Sequence, residues 1–170
     1  MRLLVPELSL LLSTTILTAA ASSPLAPRQS GTTTVANRTP WELSNIAVFD
    51  ATAVSAPVSL SYIRFDFRDT NVGIELRTTC ARTVAADGSL AGAENYHDCE
   101  GDGDVSFMYL GESMEVKRTW TDDSVGPPPM NRVTGWATAN FSMATLELPV
   151  GLGTLRTQEY LETYVDRMIA

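Results

Sequence analysis

The chain has 170 residues and a formal net charge of −8, with 12 Lys and Arg against 20 Asp and Glu. This excess of negative charge argues against nucleic acid and anionic membranes as partners, because both would repel the protein. The length that remains after a leader is set aside fits one domain with a single core.

The N-terminus has the pattern of a secretory signal peptide. Arg2 gives a basic start, an apolar stretch too short to span a bilayer covers residues 8–21, and small residues at 19–21 suit cleavage. We therefore predict a signal peptide at 1–21 and a secreted protein, located outside the cell or in the cell wall. Residues 22–39 are rich in Ser, Thr and Pro and are predicted to be a disordered arm or a pro-segment, which leaves 40–170 as the folded domain.

Strands dominate the predicted domain. Residues 41–49 form a first candidate strand. Ile63, Phe65 and Phe67 then alternate with polar residues, and so do Val72, Ile74 and Leu76 before the chain reaches Cys80. The short polar residues at 69–71 predict a hairpin turn between these two strands.

A second hairpin is predicted from 105–109 and 114–120, with its turn at 111–113. Asp-Asp, Gly and three consecutive prolines predict an exposed loop over 122–130, because proline cannot donate a ladder hydrogen bond. A strand resumes at Arg132. Its two faces are predicted to carry Val133, Ala137, Ala139 and Phe141 on one side and Thr134, Trp136, Thr138 and Asn140 on the other.

The last segments complete the predicted fold. Residues 144–148 predict another strand, whereas Leu161, Tyr164, Val165 and Met168 recur at helical spacing after Thr157, a suitable N-cap. We therefore expect an all-β protein, an antiparallel β-barrel or sandwich, with one short C-terminal helix.

The two cysteines, Cys80 and Cys99, are predicted to form a structural disulfide, since an exported domain meets oxidising conditions. The spacing does not suit a redox site, which would place two cysteines close together near a helix N-terminus. No cofactor is predicted.

An acidic segment follows Cys99. It resembles the start of a calcium-binding loop, but Tyr109 stands where a bidentate Glu would be needed. A solvated acidic turn is the favoured interpretation, and a weak extracellular calcium site is the alternative. The ligands of that alternative would be Asp98, Glu100, Asp102 and Asp104.

No catalytic group stands out. His97 is the single histidine and has no nucleophile motif near it, while no pair of carboxylates is distinguished by its sequence setting. Trp136, on the predicted polar face of its strand, is a candidate binding surface. Asn37 and Asn140 begin glycosylation sequons.

Several segments together resemble the Alternaria major allergen family of fungal secreted proteins. They are Trp41-Glu-Leu-Ser-Asn-Ile46, Thr79-Cys80-Ala81, Tyr96-His-Asp-Cys99, Val105-Ser-Phe107, Met114 to Thr119 and Gly135-Trp-Ala-Thr-Ala139. The resemblance implies a compact antiparallel β-barrel, no established catalytic residues, and allergen or effector roles involving plant defence proteins or small phenolic ligands. The chain lacks the cysteines for the family's further disulfide and covalent dimer, so a monomer or a non-covalent dimer is expected.

Two functional hypotheses follow. The favoured one is a secreted non-enzymatic binding protein, allergen-like or effector-like, that engages a host or plant defence protein or a small apolar ligand. The alternative is a secreted hydrolase that acts on cell-wall polysaccharide.

Overall fold

The computed structural model describes residues 38–52, 60–85, 88–92, 95–101, 104–148 and 151–170. The predicted signal peptide and residues 22–37 of the predicted arm lie outside this range. None of the described residues belongs to a helix long and apolar enough to cross a membrane.

Ten strands, and no α-helix, occur within the described ranges. They are β1 (Trp41–Ala51), β2 (Leu60–Asp69), β3 (Leu76–Ala85), β4 (His97–Asp98), β5 (Val105–Tyr109), β6 (Ser113–Thr121), β7 (Arg132–Asn140), β8 (Ala144–Glu147), β9 (Gly153–Thr163) and β10 (Val165–Ile169).

The strands form two five-stranded sheets with antiparallel pairing. The first sheet has the order β3-β2-β1-β9-β8, and the second has the order β10-β7-β6-β5-β4. Within the described residues the sheets do not join into a closed barrel, so of the two predicted architectures the sandwich fits the structure. The inner faces meet in one apolar core, where the Phe65 ring of the first sheet packs edge-on against Phe107 of the second, 5.0 Å between centroids.

The predicted alternation is confirmed in β2, β6 and β7. Ile63, Phe65 and Phe67 are buried, and Met114 and Val116 are buried on β6. The first hairpin turn is longer than predicted, because the Ile74 N–H donates to the Asn71 carbonyl and the chain between them is a turn. Val72 is accordingly 94% exposed rather than part of a strand.

The predicted C-terminal helix is wrong, since the segment forms β9 and β10. β9 pairs with β1 on one side and with β8 on the other, so the sheets use backbone groups that a helix would use internally. The helical spacing gave a wrong prediction because it counted Tyr164 among the residues of a buried face. Tyr164 is instead 65% exposed, between buried Thr163 and Val165. At this corner the Thr163 hydroxyl donates to the Thr138 carbonyl, 2.8 Å away, and thereby connects the two sheets.

The disulfide between Cys80 and Cys99 is formed, as predicted. Cys80 lies on β3, an edge strand of the first sheet, and Cys99 directly follows β4, an edge strand of the second. The Glu100 N–H also donates to the Thr79 carbonyl over 2.9 Å. The bond therefore fastens the two sheets together along one edge of the sandwich.

Candidate functional site

The outward face of the first sheet carries an open groove of about 740 Å³, which we call the polar groove. That volume falls within the range of about 300–1,000 Å³ typical of small-ligand sites. The groove crosses four strands, β1, β2, β3 and β9, and ends at the turn after Cys99. Its lining is Glu42, Ser44, Asn45, Asp66, Phe67, Arg68, Arg77, Thr78, Thr79, Glu100, Gly101 and Tyr160.

A β-bulge in β1 shapes this groove. The pairing of β1 with β2 shifts by one residue between Ser44 and Ala47, and Asn45 within the bulge has a φ of 55°. Asparagine tolerates this left-handed conformation better than most residues do. The extra residue allows Leu43 and Ile46 both to stay buried, and the Asn45 side chain is exposed in the groove.

Asp66, on β2, lies at the centre of the hydrogen bonding in the groove. Its Oδ2 accepts from Asn45 Nδ2 at 2.8 Å, and its Oδ1 accepts from the Thr79 hydroxyl at 3.0 Å. The hydrogen bond from Asn45 is the largest cause that lowers the pKa of Asp66; Thr79 and the charges of Arg64 and Arg77 lower it further, against an opposing effect of burial. The carboxylate is therefore held ionised at neutral pH.

One ion pair and one aromatic ring complete the groove. Arg68 Nη1 lies 3.3 Å from Glu42 Oε2, across the β1–β2 ladder. Tyr160 of β9 is 48% exposed, and its hydroxyl donates to Glu162 over 2.9 Å, which raises the pKa of Tyr160. The groove thus presents an ionised carboxylate, amide and hydroxyl groups, and an accessible ring.

Trp136 lies on the outward face of the second sheet, and its side chain is half-buried. Across the ladder it stands between Lys117 of β6 and Arg167 of β10. The Arg167 guanidinium lies 4.4 Å from the Trp136 ring centroid, and Lys117 Nζ lies 4.6 Å from the ring of Tyr96. These four residues, Tyr96, Lys117, Trp136 and Arg167, alternate aromatic and cationic groups, and we call them the Trp136 surface.

Glu115 holds this surface in position. It accepts a hydrogen bond from the Tyr96 hydroxyl, and its Oε2 lies 3.7 Å from Arg167 Nη2. The side chains at the two ends of the surface are therefore linked through one carboxylate. Such links favour a preformed surface, because less side-chain freedom is lost when a partner binds.

The structure describes three of the four candidate calcium ligands. Asp98, Glu100 and Asp104 are exposed, and Asp102 lies outside the described residues. The backbone around them is engaged in the fold, since the Asp104 carbonyl accepts from the Thr119 N–H. Within the described ranges, no group of three or more His, Cys, Asp or Glu side chains is arranged to hold a metal ion.

The other candidate residues from the sequence are His97 and the two glycosylation asparagines. His97 packs beside Phe107, and burial followed by the charge of Arg82 lowers its pKa. Its Nε2 is buried and has no hydrogen-bond partner among the residues that the structure describes. Asn140 ends β7 and is exposed, which permits glycosylation, whereas Asn37 lies outside the described residues.

Sequence reasoning did not identify the polar groove. Its side chains come from separate strands, and Tyr160 fell within the segment predicted as helix. One signal was present in the sequence, because Leu43 and Ile46 break the two-residue apolar period and indicate a bulge between them.

Comparisons with protein-family models, with curated proteins and with solved structures found no significant match. The resemblance to the Alternaria major allergen family therefore stays a prediction that depends on the sequence segments given above.

Proposed function

We propose that the protein is a secreted, non-enzymatic binding protein that engages a host or plant defence protein through the Trp136 surface. The observation that carries this proposal is the contact of Trp136 with Arg167 beside Lys117 and Tyr96 on an outward sheet face. Trp, Tyr and Arg are the residue types that contribute most to protein–protein binding energy.

Secretion is the second part of the proposal. The disulfide supports it, because such bonds persist in oxidising compartments outside the cytosol. The signal-peptide pattern and the family resemblance point to the same location. The allergen-like or effector-like role rests on that resemblance.

A small phenolic or apolar ligand fits the polar groove less well than a protein fits the Trp136 surface. Most of the groove's lining residues are polar or charged. An apolar ligand bound there would leave hydrogen-bonding groups without partners, which is unfavourable.

The alternative function is hydrolysis of cell-wall polysaccharide in the polar groove. Several carboxylates border the groove, as a glycosidase requires. However, a glycosidase needs a protonated carboxyl to act as the acid, and two of these groups do not suit that role, because the pKa of Asp66 is lowered and Glu42 is paired with Arg68. We therefore favour binding over catalysis.

The test is capture of proteins from plant apoplastic fluid by the immobilised wild type and by Trp136→Ala. We expect one or more proteins to be retained by the wild type and lost with Trp136→Ala, because the variant removes the central ring. Tyr160→Ala, on the opposite sheet, is the matched aromatic control and should retain capture. Circular dichroism and the urea midpoint check that each variant is folded.

Arg167→Glu provides a second variant that keeps Trp136. Reversal of this charge should weaken the same capture, since it removes the cation over the ring and places a carboxylate near Glu115. Equal capture by the wild type and both variants would refute the proposal, and so would robust turnover of a wall glycan by the purified protein.

A further inference from the structure

We infer that the polar groove is a binding site for a neutral oligosaccharide, on the sheet opposite the Trp136 surface. The inference is independent of the proposed protein partner, because it depends on other residues. It commits to sugar chains without charged groups. The reasons are the hydrogen-bonding capacity of the groove, its exposed ring and its balance of charge.

The first reason is the hydrogen-bonding capacity around Asp66. A carboxylate offers about four lone-pair positions, and Asn45 and Thr79 each occupy one of those on Asp66. The Asn45 amide donates one of its two N–H groups to Asp66. The bulge places its other N–H and its carbonyl in the same groove, where they add one donor and one acceptor for a ligand. Acceptors and donors side by side match the neighbouring hydroxyls of a sugar, each of which both donates and accepts.

The second reason is Tyr160. Its ring is 48% exposed on the same face, and its hydroxyl is fixed by the hydrogen bond to Glu162. The apolar C–H face of a hexose can pack on such a ring while its hydroxyls reach polar groups. Tyr160 pairs with Ser44 across the β1–β9 ladder, next to the bulge, so ring and polar groups belong to one surface.

The third reason is charge. The groove is lined by the carboxylates of Glu42, Asp66 and Glu100 and by the guanidinium groups of Arg68 and Arg77. Arg68 is already paired with Glu42. The lining therefore has no excess of positive charge that would attract a polyanion, and this balance favours a neutral glycan.

The shape of the groove also favours a chain-like ligand over a folded protein. It is an open depression across adjacent strands rather than a closed cavity, and polar side chains from each of these strands line it. A linear oligosaccharide can lie across such a depression with part of the chain in solvent.

The experiment is isothermal titration of the full purified protein with laminarihexaose, chitohexaose and cellohexaose, and with polygalacturonate as a charged comparison. The first two represent fungal-wall glycans and the third a plant-wall glycan, so the pattern identifies the source. We expect at least one neutral hexasaccharide to bind with a dissociation constant of about 1 mM or tighter, and more tightly than polygalacturonate.

Matched tyrosine variants locate the site. Tyr160→Ala should weaken binding about tenfold or more, whereas Tyr160→Phe, which keeps the ring, should bind like the wild type. Tyr164→Ala is the control, because Tyr164 is 65% exposed and is not part of the groove lining. Asn45→Gly accommodates the positive φ, removes the amide, and should also weaken binding.

Three outcomes would overturn the inference. They are no binding of any neutral hexasaccharide at millimolar concentration, tighter binding of polygalacturonate than of the neutral hexasaccharides, and equal effects of Tyr160→Ala and Tyr164→Ala on glycan binding. The result for Trp136→Ala separates the two proposals, since this variant should lose protein capture and keep glycan binding.

Discussion

Asp66 and Asp69 lie three positions apart on β2 and face opposite sides of the first sheet. Asp69 is 1% exposed inside the sandwich, whereas Asp66 is half-buried in the polar groove. Both carboxylates accept hydrogen bonds from neighbouring side chains, but of the two only Asp66 lines the polar groove. One strand therefore carries a structural carboxylate on its inner face and a candidate ligand-binding carboxylate on its outer face.

The Asp69 carboxylate is buried and hydrogen-bonded in the interior of the sandwich. Its Oδ2 accepts from Trp41 Nε1 at 2.8 Å and from Arg118, and its Oδ1 accepts from the Asn71 N–H at 2.8 Å. Arg118 lies on β6 of the second sheet and also donates to the Ile74 carbonyl. The ion pair therefore crosses between the sheets, with both charges removed from water.

The largest effect is expected from Asp69→Ala. The substitution leaves Arg118 buried without its carboxylate, and loss of one partner of a buried pair costs about 3–5 kcal/mol. Urea unfolding should show this loss in the free energy of unfolding. Asp66→Ala is the matched control and should cost about 1 kcal/mol or less. Equal losses in the two variants would remove the distinction between inner and outer aspartate.

Loss of the Cys80–Cys99 bond should have the next largest effect. The bond closes a loop with a sequence separation of 19, and its removal should lower the free energy of unfolding by about 3 kcal/mol. Urea unfolding of the Cys80→Ala, Cys99→Ala double variant measures this contribution. An unchanged midpoint would show that the interior contacts hold this edge of the sandwich without the bond.

A smaller effect is expected from Tyr109→Phe, at another polar contact between the sheets. Arg156 Nη2 donates to the Tyr109 hydroxyl over 2.8 Å and to Asp50 over 2.7 Å. Asp50 keeps Arg156 paired in the variant, so the loss should be about 1.5 kcal/mol by urea unfolding. A loss as large as that of Asp69→Ala would mean that the two contacts contribute alike despite their different burial.

The smallest effect concerns pH. The pKa of Asp66 in the folded protein is below its ordinary value of 3.8, so the folded state binds fewer protons there than the unfolded state. The stabilisation is present above that value and is lost as the pH falls through the lowered pKa. Urea midpoints measured downward from pH about 4 should decline less steeply in Asp66→Asn and in Asn45→Gly than in the wild type. Parallel curves for all three proteins would contradict this assignment.

The sequence predicted individual strands well where one face is buried and the other exposed, as in β2 and β7, but it left barrel and sandwich open. It failed at β9 and β10, where pairing with β1, β7 and β8 outweighs the helical spacing of Leu161 to Met168. The direction of Trp136 followed from alternation alone. The contact with Arg167 did not, because β10 was not predicted, and the groove depends on a bulge and on strands distant in sequence.

The central claim, that the protein binds its ligands and leaves them chemically unchanged, is tested most directly by native mass spectrometry after overnight incubation with the best-binding hexasaccharide. We expect one intact hexasaccharide on the folded protein and no shorter sugars in solution. Shorter sugars that form with the wild type and disappear with Asp66→Asn would instead establish a hydrolase.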